Sequence, residues 1–340
     1  IGAHFNEGNG YKSGQVRIFQ DNSSAWLQLG NDIDGTAEGD QCGTSVSLSA
    51  DGNYVAVGAN GNDGAGTGSG HVRVFEYVSS IWVQLGTDIE GEYEHDYSGS
   101  AVSLASDGRR VAVSSVYNDD GGNDAGHVRI YDFDVLAGSW IQQGADIDGA
   151  AAGDMSGYAL SLSADGTRVA VGANHAANDA GQVRVWQLDY VPSGQPTGQP
   201  TYGLREWFQV GTALDGEATG DTFGFAVSLS GDGNRVAVGA PKNDGGGTDS
   251  GHVRVFEFDS SSWVQLGDDI VGESAEDESG SSVSLSHDGN FVAIGGPANF
   301  GFAVKSGHVR VYNFDGSVWN QRGGDIDGID GHDGCGFSVS

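Results

Sequence analysis

Carboxylates spaced for cation binding recur along this chain. The run Asp-Ile-Asp-Gly, followed four and five positions on by Gly and often Asp, brings together Asp32, Asp34 and Asp40. The same reading gives Asp146, Asp148 and Asp154, and in a related run Asp325, Asp327 and Asp333. Alternate carboxylates flanking an inward Ile point the same way in extended backbone, and the Gly permits a tight turn. Calcium takes six to eight oxygen ligands, so each run is a candidate calcium loop. The competing reading is a solvated acidic loop that keeps a repetitive β-protein soluble.

Other reactive types fit chemistry less well. His71, His127, His252 and His308 share one repeat position with Gln15 and Gln182, which suits a structural hydrogen bond and not a proton shuttle. The chain has no Gly-x-Ser-x-Gly elbow, no phosphate loop and no His-Glu-x-x-His. With 47 Asp and Glu, a carboxylate pair is uninformative about hydrolysis. Side chains that break the repeat, namely His95, His175, Phe300, Phe302 and His332, form no recognisable set.

The elements that carry these residues are copies of one unit. Gly-His/Gln-Val-Arg occurs six times, with Arg17, Arg73, Arg129, Arg184, Arg254 and Arg310 at spacings of 56, 56, 55, 70 and 56. A Trp follows each copy: Trp26, Trp82, Trp140, Trp207, Trp263 and Trp319. The long interval holds a Pro-, Thr-, Gly- and Gln-rich insertion at 190–204. Each unit reads as four short strands, such as Ser45-Val46-Ser47-Leu48-Ser49 with strict alternation, then an Asp51-Gly52 hairpin turn. The fourth unit supplies examples of the other three, in 235–240, 252–256 and 263–267. Capped helical periodicity is absent.

Six four-stranded units define an all-β chain, a β-propeller filling 1–340 as one domain, because radial repetition leaves few open sheet edges. A start within a second strand (Ile1-Gly2-Ala3) and a finish within a first (Phe337-Ser338-Val339-Ser340) suggest that the two ends share one blade of a six-bladed ring. Seven blades are the alternative if the chain is a fragment.

Phe223-Gly224 opens one first strand and Gly239-Ala240-Pro241 closes the next strand. In this the chain resembles the FG-GAP repeat of integrin α-subunit propellers and other extracellular propeller proteins. The Phe-Gly position becomes Cys42-Gly43, Ser98-Gly99, Ser156-Gly157, Ser279-Gly280 and Cys335-Gly336 elsewhere. The resemblance implies an extracellular or cell-surface propeller. That family's DxDxDG calcium loops do not carry over, because the hairpins here hold a single acid in Ser-x-Asp-Gly. The insertion resembles Pro/Thr linkers in secreted proteins of diatoms and related algae. Asn22-Ser23-Ser24 is a glycosylation sequon in a surface loop.

Charge then becomes a matter of place. A net charge of −32 excludes a nucleic-acid binder, and no apolar run of membrane-spanning length exists. Most acids fall in the inter-unit connectors and in the loops joining second and third strands, which share one end of a propeller. Arg109, Arg110, Arg168 and Arg235 fall at the other end, which makes end-to-end self-assembly electrostatically feasible. Cys42 and Cys335 are equivalent positions in units that would be neighbours in a closed six-bladed ring, and a disulfide between them needs distortion, since matched points on packed sheets lie about 10 Å apart. The expected function is a non-enzymatic extracellular structural or adhesion module, its acidic face meeting cations, glycans or proteins. The alternative is a secreted carbohydrate-active hydrolase or lyase working at the channel mouth.

Overall fold

β-Branched residues alternating with Ser, Ala and Gly give these segments a preference for pleated backbone. In the computed structural model, which describes residues 1–190, 205–300 and 303–340, they form antiparallel sheets. In the first complete sheet Ser45–Leu48, Tyr54–Ala59, His71–Val78 and Ile81–Gln84 pair in sequence order. Four more sheets repeat this order, starting at Val102–Leu104, Ala159–Leu162, Ala226–Leu229 and Ser282–Leu285. The N-terminal unit contributes Gln15–Val16 paired with Ile33–Asp34, Phe19–Asp21 paired with Trp26–Gln28, and a bridge from Gly2 to Val16. The one helical turn among the described residues, Ala176–Asp179, is left-handed at Ala177 and Asn178, so the chain is all-β as expected.

Each complete sheet holds one strand more than the four expected. The fourth strand breaks after Gln84 and resumes as Ile89–Glu90, pairing with the same third strand. Leu85 still donates to Val74 O at 2.7 Å, but Gly86 then turns through a φ of +76°. The vacant space over Gly86 receives the Trp140 indole of the next unit. That contact recurs as Trp82 on Gly30, Trp207 on Gly144, Trp263 on Gly211 and Trp319 on Gly267. Every one of these indoles also donates its N–H to a carbonyl of the preceding unit at 2.8–2.9 Å.

The core lies between sheets. Val72, Val74 and Ile89 of one unit pack with Val102, Leu104, Val111 and Val113 of the next, each buried aliphatic contributing about 1.5–3 kcal/mol. Neighbouring units also touch by backbone alone. Gly239 lies so near Gly280 that a Cβ there would sit 2.0 Å from its carbonyl oxygen, and a Cβ on Gly58 would sit 2.1 Å from Gly99 O.

The two ends of the array are distinct. At one, hairpin turns form a relay in which Ala50, Ser106, Ala164 and Gly231 each donate to the next unit's hairpin at 2.8–3.1 Å. At the other, connectors interlock with the loops between second and third strands. Phe337–Ser340 joins no β-ladder among the described residues. Phe337 is 82% exposed and Trp26 69% exposed, and nothing lies over Gly323, the position matching Gly86. The insertion expected at 190–204 falls from 191 onward outside the described residues; Tyr190 before it pairs with Arg205 after it.

Candidate functional site

At the connector end, one repeated Asp locks each turn. Asp40 accepts from the Thr36 and Ala37 backbone N–H groups at 2.8 Å and from the Asn62 side chain at 3.0 Å. Asp96, Asp221 and Asp277 hold Asn118, Asn243 and Asn299 in the same way. Asp154 accepts from Ala151 N–H, and Asp333 from the Ile329 and Asp330 N–H groups. The third carboxylate of each expected calcium run is therefore engaged by its own turn. The first two members do converge where expected: Gln15 Nε2 donates to Asp32 at 3.0 Å and to Asp34 at 2.9 Å.

In four units His replaces that Gln, and the arrangement changes. His71, His127, His252 and His308 are at most 2% exposed. Their Nδ1 atoms stand 3.5, 3.7, 3.6 and 3.5 Å from Oδ2 of Asp88, Asp146, Asp269 and Asp325, beyond a normal hydrogen bond. Both ring nitrogens of His127 and of His308 lack any hydrogen-bond partner, as does Nε2 of His71 and His252. The hydrogen-bonding role expected for this position is thus met by Gln15 and Gln182, whereas His127 and His308 make no hydrogen bond through either nitrogen. The facing aspartates are aimed: Gln84, Gln142, Gln265 and Gln321 each hold Oδ1 at 2.5–2.7 Å, leaving Oδ2 toward the imidazole.

Further carboxylates complete these pockets. The four groups are His71 with Asp88 and Glu90; His127 with Glu92, Asp120 and Asp146; His252 with Glu217 and Asp269; and His308 with Glu273 and Asp325. Within each, one ligand atom per residue lies within 4.8 Å of all the others. Burial, with Arg129 second, lowers the His127 pKa to about 4 against the pull of Asp146, so its imidazole is neutral at physiological pH. Burial raises the Glu92 carboxyl despite Arg129, and burial followed by Asp146 raises Asp148. Of the nine expected metal residues, Asp146 and Asp325 belong to these pockets. Asp148 and Asp327 instead pair by backbone with His127 and His308.

The sequence held a signal for this arrangement. Each His unit carries Asp just before the resumed strand, as the Gln15 unit does in Asp32, and only the Gln182 unit departs, with Ala213.

Other candidates resolve into structure. Each repeat Arg lies over the aromatic two residues on, as Arg73 does over Phe75 at 5.4 Å, and Arg73 also donates to Asp34 O of the preceding connector. Arg110 pairs with Asp132 and Arg235 with Glu257, while Arg168 donates to Gly233 O of the next hairpin. Arg109 donates to the Tyr54 hydroxyl. Cys42 and Cys335 are both free thiols. Asn22 is exposed in the turn before Trp26, its side-chain oxygen accepting from Ser24 and Ala25 N–H. His175 contacts Asp179, and exposed His95, Phe300 and His332 fall in separate loops; Phe302 lies outside the described residues.

Comparison with known proteins bears on the fold. Residues 209–256 match the FG-GAP repeat, the span that contains Phe223-Gly224 and Gly239-Ala240. Similar solved structures include a protein from Bacteroides uniformis ATCC 8492 provisionally assigned as a 6-phosphogluconolactonase. It is 13% identical with a TM-score of 0.55, covering 91% of this chain and 77% of that one. Hydrazine synthase from Kuenenia stuttgartiensis is 13% identical with a TM-score of 0.49, covering 88% of this chain and 71% of that one. No curated protein matches the chain. The chain is a multi-blade β-propeller that carries the FG-GAP repeat.

Proposed function

We propose that this propeller is a non-catalytic extracellular or cell-surface binding module, meeting cations, glycans or a protein partner through its connector end. The supporting observation is the distribution of charge. Connectors and neighbouring loops display exposed Glu38, Glu94, Asp119, Asp120 and Glu276 at the end where Asp40 and its counterparts fix the loop backbone. A rigid set of loops carrying one sign of charge suits recognition in which electrostatics chooses the partner. The opposite end has its arginines engaged within the chain, which leaves it less to offer. Calcium bridging between this face and an anionic glycan is the cation role this reading includes.

Binding of the purified chain to arrayed glycans and extracellular proteins, with calcium and with chelator, tests it. Retention that falls in the triple variant Glu38→Gln, Glu94→Gln, Glu276→Gln is the expected result. Turnover of any arrayed polysaccharide would instead favour a carbohydrate-active enzyme. Retention insensitive to those three substitutions would remove the connector end as the contact.

A further inference from the structure

Among the four histidine pockets, the one around His127 stands apart on two counts and shares a third feature with the pocket around His308. It alone has four ligand groups, because Asp120 stands where the matching loops carry Gly64 and Gly245. Its loop backbone is the same as theirs: Asp120 N–H donates to Asn118 Oδ1 just as Gly64 and Gly245 donate to Asn62 and Asn243. The carboxylate is therefore an addition to an unchanged turn. Its charge is also the most negative. Glu92, Asp120 and Asp146 carry three negative charges against the one guanidinium of Arg129, 3.1 Å from Glu92.

The third feature, shared with His308, is the imidazole. His127 is fully buried, faces the carboxylates, and has no hydrogen-bond partner at either nitrogen, so the point holds for both orientations of the ring. A buried polar atom without a partner is destabilising unless something supplies one. Its 3.7 Å separation from Asp146 Oδ2 is long for a hydrogen bond but near the edge of a tetrahedron whose bonds are about 2.1 Å, roughly 3.4 Å. In the N-terminal unit the Gln15 amide group fills the matching space by donating to both aspartates. In the His127 unit no donor does so.

We propose that Glu92, Asp120, His127 and Asp146 bind one divalent first-row transition ion of the zinc class. A neutral imidazole with carboxylates suits zinc, whereas calcium takes oxygen ligands alone. Gln142 acts from outside the ligand set, holding Oδ1 of Asp146 so that Oδ2 faces inward, the device by which outer hydrogen bonds orient metal ligands. The ion joins the connector before this unit (Glu92), the loop between its second and third strands (Asp120), its third strand (His127) and the break in its fourth (Asp146). The site rests on these residues alone and does not depend on which partner the connector end meets.

The test uses the whole chain, stripped of metal by chelator and desalted. Calorimetric titration with zinc chloride gives stoichiometry and affinity, and the visible absorption of added cobalt(II) reports ligand number. The expected result is one tight zinc per chain, not displaced by excess calcium, with cobalt absorption of a four-coordinate site. His127→Gln installs the residue found at 15 and 182, and Asp120→Gly the residue found at 64 and 245. Each lowers zinc affinity at least tenfold, while His252→Gln leaves the tight ion in place. Glycine already occupies that turn in two units, so Asp120→Gly remains decisive even if His127→Gln folds poorly. Absence of tight zinc binding, affinity unchanged by both variants, or displacement by calcium on equal terms would each overturn the proposal.

Discussion

Single carboxylates in this chain act mainly as clasps for backbone. In the hairpin turns Asp51 accepts from the Ser49 hydroxyl at 2.7 Å and the Asn53 N–H at 3.0 Å; Asp288 does the same with Ser286 and Asn290. Ser49 and then Asn53 hold the Asp51 carboxyl below the usual range, and Ser286 and then Asn290 bring Asp288 down to about 2. A folded-state value below the unfolded one of about 3.9 means that this contribution is complete above about pH 4 and is lost as pH falls toward about 2. Urea midpoints measured across that window should decline, and the double variant Ser49→Ala, Ser286→Ala should decline less steeply. These turns were legible as Asp-Gly hairpins lacking calcium ligands. The His127 pocket was not, because Glu92 lies 35 positions before its histidine and belongs to the previous connector. Only stacking of one unit on the next brings them together.

At the scale of elements, the interrupted fourth strand is what couples the units. The break removes side chains over Gly30, Gly86, Gly144, Gly211 and Gly267, and an indole from the next unit enters each space. Replacing a seated indole should therefore cost far more than replacing a free one. Trp263→Ala should lose about 3–5 kcal/mol of unfolding free energy, and Trp26→Ala less than about 0.5; chemical denaturation of the two variants compares them directly. The recurrence of Trp announced packing from the sequence. The resumed strand was hidden there, because a two-residue piece such as Ile33–Asp34 is too short to show alternation. Its flanking acids read instead as a cation loop, and the paired aspartates proved to be held by Gln15.

For the whole molecule, net charge opposes the fold that repetition builds. At −32 the chain repels itself, and the Debye length falls from about 30 Å at 0.01 M salt to about 8 Å at 0.15 M. Potassium chloride added over that range should raise the melting temperature by a few degrees in chelator-treated protein; a fall would mean that attractive pairs such as Arg110 with Asp132 outweigh the repulsion. Repeat length, strand order and the two unlike ends were all legible, since six internal copies serve as their own comparison. The strand resumed after the break was not, because its two residues follow an acidic turn that reads as a loop. The bare contact between Gly239 and Gly280 has a last consequence. Two backbones that touch without side chains form a fulcrum: the gap between neighbouring sheets is fixed there, and substitution can only wedge it open. Differences in tilt from one unit to the next must then be absorbed farther out, by the side chains that vary. Glycine in this repeat therefore marks where the units may pivot, and the substituted positions mark where each one departs from its neighbour.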